Sequence, residues 1–240
     1  MTRHGAVHYT QTEHGTAVLD TRAGRGRWRF LDPVSTQLWN LITEGTPVHT
    51  GIDAVTGHWA ARGIDASRAR TDLSRVAAEL ARAGLPGPAT RTPPPTGSPL
   101  VLAATTDTGR ARDRAAAYTA LALALTLQRC APVRWTLAAA RAAARIPGRP
   151  ATSAQAQILH AAVRHAGRLW PGRAACLEES LGTFLAAAFT GLRVRWVLGA
   201  GFVPHSAHAW TETLDGAVVG QDEADRVWPY VPVLSMDSSN

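Results

Sequence analysis

The amino-acid sequence predicts an α+β protein in which two folded units are joined by a proline-rich segment. Strand-like segments precede helical ones in residues 1–85, whereas helical segments precede antiparallel strands in residues 100–240. The second order of elements is typical of the α+β class. The intervening residues 86–99 are rich in proline, which fixes φ and lacks an amide donor. We therefore expect an N-terminal domain at 1–85, an extended, solvated linker at 86–99 and a C-terminal domain at 100–240.

The N-terminal unit is predicted to be small and winged-helix-like, with a three-stranded sheet followed by three helices. Strand-like content, separated by glycine-containing turns, occurs at residues 6–9, 16–20 and 27–31. Apolar residues recur at helical spacing over residues 35–42, 52–62 and 66–83. In the last helix Leu73, Val76 and Leu80 share one face, and Gly84 is placed to end it.

The C-terminal unit opens with helices that prolines and glycines delimit. Helical patterns cover residues 111–130, 133–145, 153–169 and 176–189. Strand-like segments follow at 192–198, 207–213 and 217–220, the last two joined by an Asp-Gly turn. The apolar stretch 115–127 is shorter than the roughly 20 residues of a membrane span, so we interpret it as a buried helix.

Composition and charge exclude several classes of function. The formal charge of +7 and the pI near 10.8 favour acidic partners, but the arginines are scattered singly rather than clustered. Nucleic-acid binding is therefore not expected. Two cysteines are too few for a disulfide scaffold, and the N-terminus lacks the apolar stretch of a secretory signal. We expect a cytoplasmic protein with no membrane partner.

Cys176 is a candidate nucleophile because it opens a helix-like run. A preceding Pro-Gly turn at residues 171–172 allows a helix to begin at the thiol. Unpaired backbone amides and the positive end of the helix dipole favour the thiolate that nucleophilic attack requires. A cysteine with a distant histidine is a recognised pattern for such catalysis.

His208 is the candidate base for this nucleophile. It lies on a predicted strand, where period-two alternation places Trp210 and Glu212 on its face. A sheet laid across the start of the cysteine helix would present His208 to the sulfur. His205, three residues earlier, competes for the role, although its position after Pro204 predicts a loop.

A third group usually orients the imidazole of such a pair. Asp215, Asp222 and Asp225 are the available carboxylates. Asp215 lies at the hairpin turn, where turn formation accounts for it, whereas Asp222 ends the strand expected beside His208. We favour Asp222.

The remaining reactive residues predict no metal and no cofactor. The two cysteines lack the close spacing of a zinc site, and the short glycine turns lack the patterns of nucleotide-binding loops. Cys130, among leucine and alanine, is expected to be a small buried hydrophobe. The other histidines show no ligand spacing and are expected at the surface or in caps.

Two motifs resemble the transglutaminase-like cysteine peptidase of lasso-peptide biosynthesis. They are Pro171-Gly-Arg-Ala-Ala-Cys176-Leu-Glu-Glu-Ser-Leu and Phe202-Val-Pro-His-Ser-Ala-His208-Ala-Trp-Thr-Glu. The resemblance runs from about Ala111 to the C-terminus. It implies a transglutaminase-like or papain-like α+β domain with a Cys-His-Asp triad that removes the leader from a ribosomally made precursor.

The first 85 residues resemble the PqqD-like element that recognises such leaders. The resemblance rests on the order of elements and on Asp32-Pro-x-x-x-x-Leu-Trp. It implies that the leader adds as a strand to residues 27–31 and packs on the helix at 66–83. The candidate leader-binding residues are Arg27, Trp28, Arg29, Phe30, Leu31, Leu73, Val76 and Leu80.

The expected function is therefore leader recognition fused to thiol peptidase chemistry. A leader bound at one domain is concentrated at the other. The resemblance implies two partners, the precursor peptide and an asparagine-synthetase-like lasso cyclase. Two alternatives remain open, namely amide transfer to an amine by the same triad and a non-catalytic peptide-binding scaffold.

Overall fold

A computed structural model describes residues 6–22, 24–85, 89–95, 97–221 and 229–237 of the chain. Its N-terminal unit contains three antiparallel strands and three helices, which confirms the predicted order of elements. These are β1 (Val7–Thr12), β2 (Gly15–Asp20), β3 (Arg27–Leu31), α1 (Pro33–Thr43), α2 (Val48–Ala60) and α3 (Ala66–Arg82).

Local signals explain where the N-terminal helices begin. The Asp32 carboxylate accepts a hydrogen bond from the Ser35 amide at 2.7 Å, and Pro33 occupies the first turn of α1. Asp65 caps α3 in the same way, accepting from the Ser67 amide at 2.8 Å. An apolar cluster around Trp39 packs the helices on the sheet, and a second cluster around Leu38 packs the three helices against one another.

The proline-rich segment is more structured than a solvated linker. Ala89–Arg91 forms a fourth strand, β4, which pairs in parallel with β1 and gives the sheet order β3-β2-β1-β4. Beyond it the Thr92 hydroxyl donates to the Val233 carbonyl of the C-terminal unit at 2.7 Å. The segment therefore contacts both units of the chain.

The C-terminal unit packs helices against one five-stranded sheet, which confirms the predicted α+β class. Its elements are β5 (Val101–Ala103), α4 (Ala111–Cys130), α5 (Val133–Ala144), β6 (Arg149–Pro150), α6 (Ser153–Arg168), α7 (Cys176–Phe189), β7 (Leu192–Arg193), β8 (Arg195–Phe202), β9 (His205–Glu212), β10 (Val218–Gln221) and β11 (Tyr230–Met236). The strand order is β11-β8-β9-β10-β5, and β6 pairs with β7 separately. Helix α7 contacts β9 on one side and α4, α5 and α6 on the others.

Two strands of this sheet, β5 and β11, are absent from the sequence-based prediction. β5 is only three residues long and pairs in parallel with β10. β11 contains Pro232, which argues against a central strand, but it lies at the edge of the sheet beside β8. An edge strand can tolerate the missing amide donor.

One hydrophobic cluster spans the two units. Ala17 and Leu19 of β2 belong to the same buried cluster as α4, α5, α6, α7 and β8. Trp28 and Phe30 of β3 pack against that cluster from the N-terminal side. Among the helices described, none combines the length and apolar content of a membrane span.

Candidate functional site

Cys176 is the first residue of α7 and its thiol is partly exposed. Ala175 before it is extended, with φ −104° and ψ 177°, so the helix begins at the cysteine. The Ala175 amide donates to the Glu178 carboxylate at 3.0 Å, which fixes the first turn. The predicted placement of a thiol at a helix start is confirmed.

The first turn of α7 also carries two acidic residues, Glu178 and Glu179. Their charge opposes the stabilisation that the helix dipole gives to an anion. Arg164 of α6 lies 3.9 Å from the Glu179 carboxylate and offsets part of that charge. The electrostatic environment of the thiol is therefore mixed.

Ser180, one turn after the cysteine, attaches α7 to the sheet. Its hydroxyl accepts a hydrogen bond from the Trp196 indole at 3.0 Å, and its carbonyl accepts one from the Thr211 hydroxyl at 3.0 Å. Trp196 and Thr211 are paired across β8 and β9. Helix α7 thus lies on the face of β9 that carries Thr211 and Ala209.

His208 projects from the other face of β9. Its ring stacks on Tyr230 at 4.7 Å and on Trp210 at 6.2 Å. Gly199 of β8 lies opposite it, and the absence of a side chain there leaves space for the Trp210 ring. The predicted common face is confirmed, because the Trp210 indole also donates to Glu212 at 3.3 Å.

No hydrogen bond joins Cys176 to His208 among the described residues, and α7 packs against the opposite face of the strand. The pairing of Cys176 with His208 therefore stays a prediction. The alternation of residues predicted a shared face but not which face α7 covers.

His205 has the strand parity of Ala209 and Thr211, on the α7 side. It begins β9 and is exposed, and its ring stacks on Phe30 of β3 at 4.7 Å with an interplanar angle of 11°. Phe30 in turn contacts Phe202 edge to face at 6.2 Å. The β8–β9 hairpin is thus in direct contact with the N-terminal sheet.

Of the three candidate carboxylates, only Asp215 lies in the part of the chain that the structure describes. Asp215 is exposed in the turn between β9 and β10, where turn formation accounts for it. Asp222 and Asp225 lie outside the described residues. Asp222 therefore stays a prediction.

The predicted leader-binding strand, β3, lies at an edge of its sheet. Arg27 is exposed, and Arg29 lies 4.0 Å from Asp20. Trp28 and Phe30 face the C-terminal unit rather than open solvent. Leu31 is buried beside Trp39.

The three helical members of the same set differ in exposure. Leu73 and Leu80 are each 2% exposed and belong to the core of the N-terminal unit. Val76 is only partly buried. Of the three, Val76 alone offers surface to a bound peptide.

An ion-paired arginine on the His208 face of the sheet links β8 to β9 and to the residue that follows β11. Arg195 donates to Glu212 at 2.8 Å and to Asp237 at 2.9 Å. Burial lowers the pKa of Arg195, but the hydrogen bonds to Glu212 and Asp237 outweigh it, so the pKa lies above its ordinary value. The guanidinium is therefore a fixed positive charge in this region.

Two histidines expected at the surface or in caps are buried, and one cysteine expected to be buried is exposed. His8 on β1 is 3% exposed. His160 on α6 is 8% exposed, and its Nδ1 lies 3.1 Å from the Thr183 hydroxyl. That hydroxyl donates to the Glu179 carbonyl at 2.8 Å, so Nδ1 is the donor to Thr183. Cys130, expected to be buried, is exposed at the end of α4. Within the described ranges, no three metal-ligating side chains gather in one place.

Comparison with known proteins identifies one family. Residues 120–235 match the model of the transglutaminase-like superfamily. The match includes α7 with Cys176 and the hairpin with His205 and His208, so this part of the chain is a transglutaminase-like domain. No curated protein and no solved structure matches the chain.

Proposed function

We propose that the transglutaminase-like domain at residues 120–235 is a thiol peptidase with Cys176 as its nucleophile, and that its substrate is the leader of a lasso-peptide precursor. The observation that carries the proposal is the partly exposed thiol at the first residue of α7 inside the matched domain. Enzymes of this kind use such a thiol for acyl transfer.

In the proposed reaction, the Cys176 thiolate attacks the carbonyl carbon of the scissile peptide bond. The C–N bond then breaks, the leaving amine takes a proton from the imidazolium, and an acyl thioester remains on the sulfur. Water, deprotonated by the same imidazole, hydrolyses the thioester and restores the thiol. His208 moves these protons, and Asp222 orients its ring.

This assignment requires the His208 imidazole to reach the sulfur when substrate binds. Catalytic contacts are often long in the free enzyme and tighten in the complex. Among the described residues β10 pairs with β9 only between Val218 and Glu212, so the main-chain pairing at the start of β9 comes from β8. A shift of that strand end is the conformational change that the proposal demands.

The proposed recognition element is the N-terminal unit. Its edge strand β3 offers main-chain groups to a leader that adds as a further strand. Arg27, exposed on β3, and Val76, partly buried on α3, are the predicted contacts best placed for a peptide. Leader binding there concentrates the precursor beside the peptidase, and the freed core peptide passes to an asparagine-synthetase-like cyclase.

The test is precursor cleavage followed by mass spectrometry, with and without the cyclase. Release of intact leader by the native chain, and none by Cys176→Ala, is the expected result. Cleavage that continues in Cys176→Ala would contradict the nucleophile assignment.

Amide transfer remains the second candidate, because transglutaminase-like domains include both peptidases and acyltransferases. An added primary amine distinguishes the two. Hydrolysis gives a free carboxylate with amine present, whereas transfer gives the amine adduct. Absence of both products, with leader still bound, would favour a non-catalytic scaffold.

A further inference from the structure

A cavity of about 290 Å³ lies where the N-terminal sheet meets the C-terminal unit. Its walls come from β1 and β4 on one side and from α5 and the end of β11 on the other. It is separate from Cys176 and His208, neither of which lines it.

Three arginines line this cavity. Arg91 comes from β4, Arg141 from α5 and Arg145 from the C-cap of α5, and a spacing of four places Arg141 and Arg145 on the same side of the helix. None of the three has an ion-pair partner within the described ranges. Asp237 also lines the cavity, but its carboxylate binds Arg195 at 2.9 Å.

Arg141 gives the strongest indication of a missing ligand. Its Nε atom is buried and has no hydrogen-bond partner in the described structure. A buried donor without an acceptor costs free energy, and three guanidinium groups around one space repel each other. An anion in the cavity would satisfy the donor and remove the repulsion.

The shape and chemistry of the walls indicate what kind of anion fits. Three guanidinium groups offer more charge and more donors than one carboxylate can satisfy, whereas a phosphate dianion has three terminal oxygens that accept bidentate pairs. Leu234, Met236 and Ala144 add apolar wall beside the arginines. A phosphate that carries a small apolar group would contact both surfaces.

We propose that this cavity binds a small organic phosphate monoester, with its phosphate held by Arg91, Arg141 and Arg145. Such a ligand would join β4 to α5 and so stabilise the contact between the two units. The proposal does not depend on the catalytic residues, and its test measures binding rather than cleavage.

The experiment is isothermal titration calorimetry of the full chain with phenyl phosphate, inorganic phosphate and succinate. We expect phenyl phosphate to bind most tightly, inorganic phosphate more weakly and succinate least. Equal affinities for phenyl phosphate and inorganic phosphate would overturn the monoester assignment, and preferred binding of succinate would overturn the phosphate assignment.

Variants locate the site. Arg141→Gln and the double variant Arg91→Gln with Arg145→Gln should each weaken phenyl phosphate binding by about ten-fold or more. Arg134→Gln, exposed on α5 but outside the cavity, is the matched control and should leave binding unchanged. Arg91 and Arg145 are exposed, so their replacement preserves the fold and keeps the test valid if Arg141→Gln unfolds. Unchanged affinity in the double variant would refute the site.

Discussion

Cys176 and Cys130 are the two thiols of the chain, and both are accessible to some degree. Only Cys176 begins a helix, whereas Cys130 ends one. The backbone charge of a helix favours an anion at its start and disfavours one at its end. The two thiols should therefore differ in chemical reactivity because of their positions on the helices, and not only because of their exposure.

We predict that Cys176→Ala lowers the rate of leader cleavage by roughly a thousand-fold or more, as removal of a nucleophile does in other enzymes. Cys130→Ala provides the matched control and should retain the native rate. The rates are measured by mass spectrometry on a defined precursor. A similar loss in both variants would point to misfolding rather than to chemistry.

Substitutions of the two histidines in the β8–β9 hairpin distinguish a role in base catalysis from a role in packing. We predict that His208→Ala abolishes cleavage, and that His205→Ala mainly raises KM, because His205 packs on Phe30 of the proposed recognition unit. Steady-state kinetics of both variants check this. If His205→Ala removes kcat and His208→Ala does not, the base is His205, which has the strand parity of the α7 face.

Some of the site could be predicted from individual residues and some could not. A Pro-Gly turn before Cys176 was enough to place the thiol at a helix start. Alternation along β9 correctly grouped His208 with Trp210 and Glu212, but it carries no information about which face meets α7. That choice depends on contacts such as Ser180 with Trp196, which join segments distant in sequence.

A charged contact joins the end of β2 to the end of α3 in the N-terminal unit. Asp20 binds the Arg22 guanidinium at 2.8 and 2.9 Å, and Arg22 donates to the Gly84 carbonyl just after α3 at 3.0 Å. The hydrogen bond from Arg22 holds the pKa of Asp20 below its ordinary value, against the opposing effect of burial. The contact therefore contributes more when Asp20 is ionised.

We predict that this contribution is complete above the ordinary pKa of 3.8 and is lost as the pH falls through the lower pKa of the folded state. At neutral pH, Asp20→Asn should reduce the free energy of unfolding by about 1 kcal/mol or more. The free energy of unfolding of the native chain and of Asp20→Asn is measured by denaturant unfolding from pH 2 to 7, at intervals of about one pH unit.

The difference between the native chain and Asp20→Asn should narrow at acid pH. Asp53→Asn is the control, because the Asp53–Arg70 pair is more than half exposed on both sides and should contribute less than about 0.5 kcal/mol. A difference for Asp20→Asn that does not vary with pH would contradict the electrostatic origin.

Close packing of β8, β9 and β11 depends on Gly199. A Cβ atom there would lie 2.3 Å from the Trp210 ring and 2.6 Å from the Val231 carbonyl oxygen. We predict that Gly199→Ala destabilises the fold by about 1 to 3 kcal/mol through overpacking. Gly57→Ala in α2, where nothing lies within 4 Å, should instead stabilise by about 0.5 to 1 kcal/mol. Thermal unfolding of both variants tests the contrast.

At the level of elements, the helices were more predictable than the sheet. Prolines and glycines delimit α4 to α7, so their bounds follow from local signals. β11 has no such signal, since Pro232 disfavours a strand until its place at the edge is known. β5 is too short to show alternation, and it depends on pairing with β10.

Across the whole molecule, the shared core predicts how the chain unfolds. Ala17 and Leu19 of the N-terminal sheet are buried with the helices of the C-terminal unit. We predict a single cooperative transition in calorimetry rather than two, because neither unit can lose its structure without exposing the other's apolar surface. Two transitions about 10 °C or more apart would show that the units unfold as independent domains. A difference of a few kcal/mol in their stabilities would separate the two midpoints by roughly this much.

A truncated chain of residues 100–240 checks the same point. Removal of the N-terminal unit would expose Phe202, which Phe30 covers in the full chain. We expect the fragment to be less stable than the full chain and more prone to aggregate. Denaturation midpoints of the two chains measure the difference, and the division at residues 86–99 remains a prediction until they are compared.

The stack of Phe30 on His205 also limits how such proteins can be recombined. Replacing the proposed recognition unit at residues 1–85 by one of different specificity would exchange one surface of this aromatic contact and leave the other unchanged. A working chimera would have to carry compatible residues at 30, 202 and 205 together. New substrate specificity in this architecture is therefore expected to arise through paired changes on both sides of the contact, and not through simple exchange of modules.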